Sequence, residues 1–169
     1  FNCSGIGYYG FHGDEPLSEE APPGGDFLAR VAQAWERETM RAAQSGRRVV
    51  LLRLGHVLGE NGGVLQKLLT LSAIRMLAPW GDGRPWFSWI HEQDIAAAVS
   101  FLLTRPEIAG PVNLTSPNPA NNSELAATLN RLTGRRPWLR RIPAHMIQAC
   151  MGELSTLFLT GQRVLPAKL

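Results

Sequence analysis

Six consecutive residues, Val49 to Leu54, read VVLLRL. They are largely β-branched and aliphatic and lack the alternation of a half-exposed strand, which predicts a strand buried on both faces, as in parallel sheets. Parallel strands need long crossover connections, usually helical, and the upstream sequence supplies one. Asp26 is a helix-capping residue; Phe27, Leu28, Val31, Trp35 and Met40 recur at helical spacing with charges on the other face; Gly46 stands where a left-handed C-terminal cap is wanted. Helix followed by buried strand sets an α/β class.

The remaining segments extend that rhythm. CSGIGYYG, Cys3 to Gly10, suits a strand running out into a turn where backbone approaches a ligand closely. FHGDEPLSEEAPPGGD then reads as a surface loop. GHVLGENGG, Gly55 to Gly63, is expected to be a loop at the carboxyl end of the VVLLRL strand, where open α/β sheets place ligands. Leu65 to Leu77 is helical by pattern and apolar on more than one side. A turn follows at Trp80-Gly81-Asp82-Gly83, then a short aromatic strand, PWFSWIH, and a helix from Gln93 to Thr104. Val112 to Thr115 is a further strand. Asn121 and Glu124 form a capping box for a helix stopped by Gly134, and Ala144 to Leu159 is helical with an interruption at Gly152.

Composition excludes more than it selects. At 169 residues, 44% hydrophobic and 18% charged, the chain has enough apolar material for a core. Lys+Arg 17 against Asp+Glu 14 is too small a surplus to imply nucleic acid. In RRPWLRR, Arg135 to Arg141, the solvated-loop reading outweighs a stacking platform. Two cysteines without C-x-x-C spacing give no disulfide framework, and no apolar run is long enough to span a membrane. A cytoplasmic protein without membrane or nucleic-acid partners is therefore expected. His12, His56, His91 and His145 are scattered, and HEQD lacks a second His at ligand spacing, so no metal is expected.

Neither GxGxxG nor GxxxxGK[ST] follows a strand, so a dinucleotide's pyrophosphate loop, if one binds, is expected upstream of Phe1. The polar groups best placed for chemistry are Ser4, Tyr8 and Tyr9. A hydroxyl at a strand end beside phenols can donate hydrogen bonds as charge develops on a carbonyl or alkoxide; turn chemistry with packed tyrosines explains the same residues equally well. His91 and Asp94 bracket a helix start, where a structural role is the heavier reading.

CSGIGYYG, PGGDFLARVAQAWE, RVVLLRLGHVLGENGGVLQKLL, WGDGRPWFSWIHEQDIAAAV, GPVNLTSPNPANNSEL and GELSTLFLTGQRVLPAKL resemble, in order, consecutive blocks of the atypical extended short-chain dehydrogenase/reductase family. Its members are described as NAD(P)-dependent epimerases/dehydratases or nucleotide-sugar epimerases, some with a cell-division-inhibitor label. The resemblance implies the C-terminal portion of a Rossmann-type doubly wound parallel sheet with a smaller α/β substrate lobe. Residues 1–60 would be the latter part of the NAD(P)-binding domain, its first half absent from the chain. Residues 61–169 would mainly form the substrate lobe, with segments returning to the sheet. By the same resemblance, Ser4, Tyr8 and Tyr9 are the catalytic candidates; Ser4, Gly5, Arg53, Gly55 and Leu58 are cofactor contacts; and Trp89, His91, Asp94 and Asn113 are substrate contacts. NADP(H) is implied over NAD(H), with a small-molecule carbonyl or alcohol as substrate and homodimerisation left open.

Two departures bear on activity. The family's Tyr-x-x-x-Lys pair is missing: Phe27 and Val31 hold those places, which removes a proton donor worth roughly a hundred- to ten-thousandfold in rate. A catalytically impaired NADP(H)-binding regulator is therefore the alternative to an enzyme. His56 stands where a small apolar residue is expected, and RMLAP, Arg75 to Pro79, replaces a Gly-rich loop.

Overall fold

The computed structural model describes residues 1–60 and 62–169, the side chains of 153, 154, 157 and 158 excepted. Asn61, within the expected GHVLGENGG loop, lies outside the described residues.

Strand β1, Asn2–Gly5, runs into a single 3-10 turn, Ile6–Tyr9, and ends at Gly10, whose φ of 68° only glycine adopts readily. The polar stretch that follows is not wholly a surface loop. It contains a two-residue strand β2, Pro16–Leu17, with Leu17 and Glu19 buried. Helix α1, Phe27–Met40, is capped by the Asp26 carboxylate, which accepts from the Ala29 N–H. Strand β3, Val50–Leu54, matches the apolar run. The expected loop after it starts as a strand instead, β4, His56–Gly59, because its backbone finds a parallel partner further along the chain. Helix α2 is Gly63–Ala73.

PWFSWIH divides into β5, Trp86–Phe87, and β6, Trp89–His91. The break is Ser88, whose buried hydroxyl donates to the Gln162 carbonyl and accepts from the Val164 N–H. Helix α3, Glu92–Leu103, then strand β7, Gly110–Leu114, and the short β8, Ala120–Asn121, lead to helix α4, Asn122–Leu132. The expected capping box is present, with Asn121 and Glu124 each bonding the other's backbone. Helix α5, Ala144–Met151, gives way at Gly152 to a 3-10 turn and the one-turn α6, Thr156–Leu159. Strand β9, Arg163–Val164, closes the chain against β2. The RRPWLRR segment is irregular, with Trp138 80% exposed.

The main sheet is parallel, ordered β1-β3-β7, and no strand pairs with the outer side of β1 among the described residues. Alternation along β3 sends Val50 and Leu52 to one face, where they pack with Leu102 of α3 and Val112 and Leu114 of β7. Arg53 points to the opposite face, toward α1. A second cluster joins α2, α4 and Phe87; a third joins Ile6, Tyr9, Leu17 and Val164.

Helix α1 carries its apolar stripe outward. Phe27 is 70% and Trp35 58% exposed, Leu28 and Val31 are also open, while Glu36 is buried. The ordinary arrangement for an amphipathic helix is the reverse; here an ion pair on the inner face fixes the orientation.

Candidate functional site

Strand register places Ser4, Arg53 and Asn113 side by side on one rung across the three parallel strands. A guanidinium inside a sheet must be paired and hydrogen-bonded to be tolerated, and helix α1 supplies the partner. Glu36 receives Arg53 in a two-pronged contact, Nε to Oε1 at 2.9 Å and Nη2 to Oε2 at 2.7 Å, with both residues about 5% exposed or less. The Ser4 hydroxyl donates to the same carboxylate at 2.8 Å.

On the other side of the guanidinium, Nη1 donates to the Tyr9 hydroxyl at 2.9 Å, and Tyr9 donates onward to Asn113 Oδ1 at 2.7 Å. Glu19 then accepts from the backbone N–H groups of Asn113, Ala167 and Lys168, tying β7 to the chain's last residues. Tyr8 lies flat against this chain of bonds, with the Arg53 guanidinium carbon 3.5 Å from its ring centroid.

The electrostatics follow from the geometry. Burial alone would lower the Arg53 pKa; the hydrogen bonds it donates to Glu36 and Tyr9 outweigh it and raise the value, so Arg53 stays charged. Burial raises the Tyr9 pKa, and the neighbouring Arg53 only partly offsets this. Tyr9 is therefore a neutral hydrogen-bond donor at physiological pH, committed to Asn113. The Tyr8 hydroxyl makes no hydrogen bond among the described residues.

Beside this rung, at the carboxyl ends of β1 and β3, opens a cavity of ≈ 350 Å³. Its walls come from the turn after β1, the starts of α1, β4, α2 and α4, Trp80, the β5 segment and the residues just before β9. Phe11, Trp80, Trp86 and Phe87 make it strongly aromatic. His56 stacks on Phe87 with ring centroids 4.2 Å apart and planes 7° from parallel. His56 lines the cavity while keeping part of its surface in solvent, and the desolvation its packed neighbours bring lowers its pKa. The position of Trp86 depends on Gly161, where any Cβ would collide with the Trp86 backbone.

The residues expected to share a site separate into three places. Ser4, Tyr8, Tyr9, Arg53 and Asn113 meet in the buried network, with Gly5 next to it on β1. Gly55 lies packed under the Ser88 carbonyl and Thr115, and Leu58 and Trp89 sit against the α2/α4 apolar cluster. His91 caps α3 by accepting from the Gln93 N–H at 3.2 Å, and Asp94 is exposed in the first turn of that helix.

Sequence reasoning missed Glu36 and Glu19. The signal for Glu36 was present: a lone Arg in a strand buried on both faces demands a carboxylate. Glu19 carried none, because its partners are backbone groups distant in sequence. Among the described residues no group of three or more metal-ligating side chains gathers, and no helix is long and apolar enough to cross a membrane.

Comparison with known proteins agrees with this architecture. The model of the NAD dependent epimerase/dehydratase family matches residues 2–114. The chain is 36% identical over 167 residues to the chloroplastic epimerase family protein SDR39U1 homolog of Arabidopsis thaliana, covering 99% of this chain and 48% of the relative. It is 34% identical to the epimerase family protein YfhF of Bacillus subtilis, covering 98% and 54%. The chain thus spans about half the length of the curated relatives it matches. The human epimerase family protein SDR39U1, solved with NADPH, superposes with a TM-score of 0.83 at 29% identity, covering 97% of this chain and 56% of that one. A UDP-glucose 4-epimerase of Thermus thermophilus shares the fold at a TM-score of 0.64 and 22% identity, covering 85% and 50%. The three-stranded parallel sheet is therefore the C-terminal portion of a Rossmann-type sheet, and the chain belongs to the NAD-dependent epimerase/dehydratase family.

Proposed function

We propose that the natural polypeptide carrying this chain is an NAD(P)-dependent epimerase/dehydratase or reductase acting on a carbonyl or alcohol substrate, nucleotide-sugar-like or other. The observation that carries the reading is the placement of an aromatic cavity beside Ser4 to Gly10 at the carboxyl ends of the parallel strands, the position where open α/β sheets bind ligands. NADP(H) is the preferred cofactor, a reading supported by the NADPH in the human relative's structure.

The residues present fit the flat end of such a cofactor. Gly7, with no side chain, lines the cavity between Ile6 and Gly10, so a flat ring can approach the backbone of the turn after β1 there. When bound, a nicotinamide cofactor supplies or accepts the hydride. Arg53 acts on this site indirectly: it holds the Tyr8 ring against its guanidinium and fixes the turn through Tyr9. None of Ser4, Tyr8 and Tyr9 is among the described residues lining the cavity; with the Ser4 and Tyr9 protons already donated within the protein, Tyr8, one residue from the lining Gly7, is the phenol left for proton transfer.

That same commitment favours a second reading, a catalytically impaired NADP(H)-binding regulator. Phe27 and Val31, in place of the Tyr/Lys pair, are exposed on α1 and bring no proton donor. Turnover separates the two. NADPH oxidation over a panel of ketones, aldehydes and sugar nucleotides is expected to find a substrate, with Tyr8→Phe lowering kcat by about 10²-fold or more at unchanged thermal stability. NADPH binding without turnover anywhere in the panel would leave the regulator.

A further inference from the structure

The cavity beside β1 has a charge pattern that narrows what it admits. Among its described lining residues the only formally charged side chain is Asp26, a carboxylate, and neither Lys nor Arg takes part. A pyrophosphate buried there would meet a negative charge and no Lys or Arg fork, and of the helix starts in the wall those of α1 and α4 are already capped by Asp26 and Asn121. The nearest guanidiniums do not repair this. Arg163 is stacked on Trp86, 4.9 Å from its ring centroid, and does not line the cavity. Arg84 belongs to an adjoining recess that it shares with Asp14 and Asp82, two carboxylates to one cation.

The walls favour a flat apolar ligand. Four aromatic side chains, Phe11, Trp80, Trp86 and Phe87, surround a volume within the range of small-molecule sites. Most polar lining groups are engaged within the protein: Asn122 Oδ1 accepts from the Trp80 N–H, Gln162 Nε2 donates to the Ile6 carbonyl, and the Thr160 hydroxyl donates to Thr156. His56 differs. Its ring nitrogens make no hydrogen bond among the described residues, and its stacking on Phe87 fixes the imidazole plane. Desolvation lowers its pKa, so it stays neutral at physiological pH and offers an N–H donor without bringing a charge.

We propose that this cavity takes an uncharged, planar aromatic or conjugated carbonyl compound, with the His56 imidazole hydrogen-bonded to the carbonyl oxygen, and excludes sugar-nucleotide diphosphates. The proposal rests on the carbonyl/alcohol reading above and narrows its substrate class. Binding, measured by calorimetry on the natural polypeptide carrying this chain, is independent of turnover and tests it without cofactor. The probes are 2-acetylnaphthalene, its carbonyl-free analogue 2-ethylnaphthalene, and UDP-glucose.

The expected result is saturable binding of the ketone and none of UDP-glucose at the same concentration. His56→Phe keeps the stack and removes the donor, and is expected to weaken the ketone about fivefold, the worth of one hydrogen bond, while leaving 2-ethylnaphthalene unchanged. Saturating NADPH is expected to leave ketone affinity intact. UDP-glucose binding as tightly as the ketone overturns the proposal. So does absence of ketone binding to the folded wild-type protein, equal loss of both naphthalenes in His56→Phe, or displacement of the ketone by NADPH, which would assign the cavity to the nicotinamide. Loss of NADPH binding with ketone binding retained would defeat the cofactor reading alone.

Discussion

Arg53 sets the terms for every polar side chain around it. Its charge is unavoidable at any workable pH, its strand is buried, and Glu36, Tyr9 and Ser4 are arranged to make that tolerable. Glu36→Gln leaves a guanidinium buried without its counter-charge and is expected to cost about 3–5 kcal/mol, read as a lowered denaturation midpoint in urea. The pair Glu36→Leu with Arg53→Met removes both charges and is expected to regain most of that loss. If Glu36→Gln alone is neutral, the pair is not the organising contact.

His56 predicts a pH dependence of different origin. Its folded pKa lies below the ordinary value of 6.5 because of desolvation. The unfolded chain therefore binds more protons in the window between the two values. The neutral-imidazole contribution is complete above 6.5 and is lost as pH falls from there through the folded pKa. Thermal midpoints measured across that window should fall more steeply for the wild type than for His56→Phe; parallel curves would refute the assignment.

Elements were easier to read from sequence than their packing. The VVLLRL strand, the Asp26 cap and the Asn121/Glu124 box rest on local physics, apolar content and short-range hydrogen bonds, and all three stand in the structure. The outward apolar stripe of α1 was not legible, since the sequence shows a stripe without saying which face meets the sheet. Strand β4 was hidden for a similar reason: HVLG becomes a strand only because β6, more than thirty residues later, aligns with it. Of the candidate site, the Ser4 to Gly10 segment was visible in its glycines and hydroxyls. The cavity walls were not, because they come from eight separate stretches of chain.

Where β3 turns into β4, Gly55 is held by close approach. A Cβ there would sit 2.7 Å from the Ser88 carbonyl oxygen and 2.9 Å from a Thr115 methyl. Both neighbours are fixed, Ser88 by its two hydrogen bonds toward β9, so Gly55→Ala is expected to cost about 1–3 kcal/mol by overpacking. Circular dichroism melts of the variant check this. An unchanged midpoint would mean that the β3–β4 junction has slack the geometry does not reveal.

At the scale of the whole molecule, one polar chain runs from Ser4 on β1 to Lys168 near the C-terminus, crossing the β3 and β7 strands and passing through Tyr9 of the third apolar cluster. Through Glu19 and Asn113, the last residues are bonded to the same network that anchors the turn after β1. The cavity in turn draws walls from Ile6 to Phe11 and from Thr160 to Gln162, near both ends of that network.

The outer side of β1 has a further consequence, for behaviour in solution. A strand with a bare row of N–H and C=O groups is a template for any extended peptide that meets it, and here it lies next to the open stripe of Phe27, Val31 and Trp35. Residues 1–169 expressed alone are expected to form particles that grow with concentration, even in reductant. Light scattering should show Cys3→Lys, a charge on that exposed edge, and Trp35→Glu each shrinking them. The same polypeptide stretch that shapes the cavity would then also decide how far the molecule can be concentrated before it templates its own aggregation.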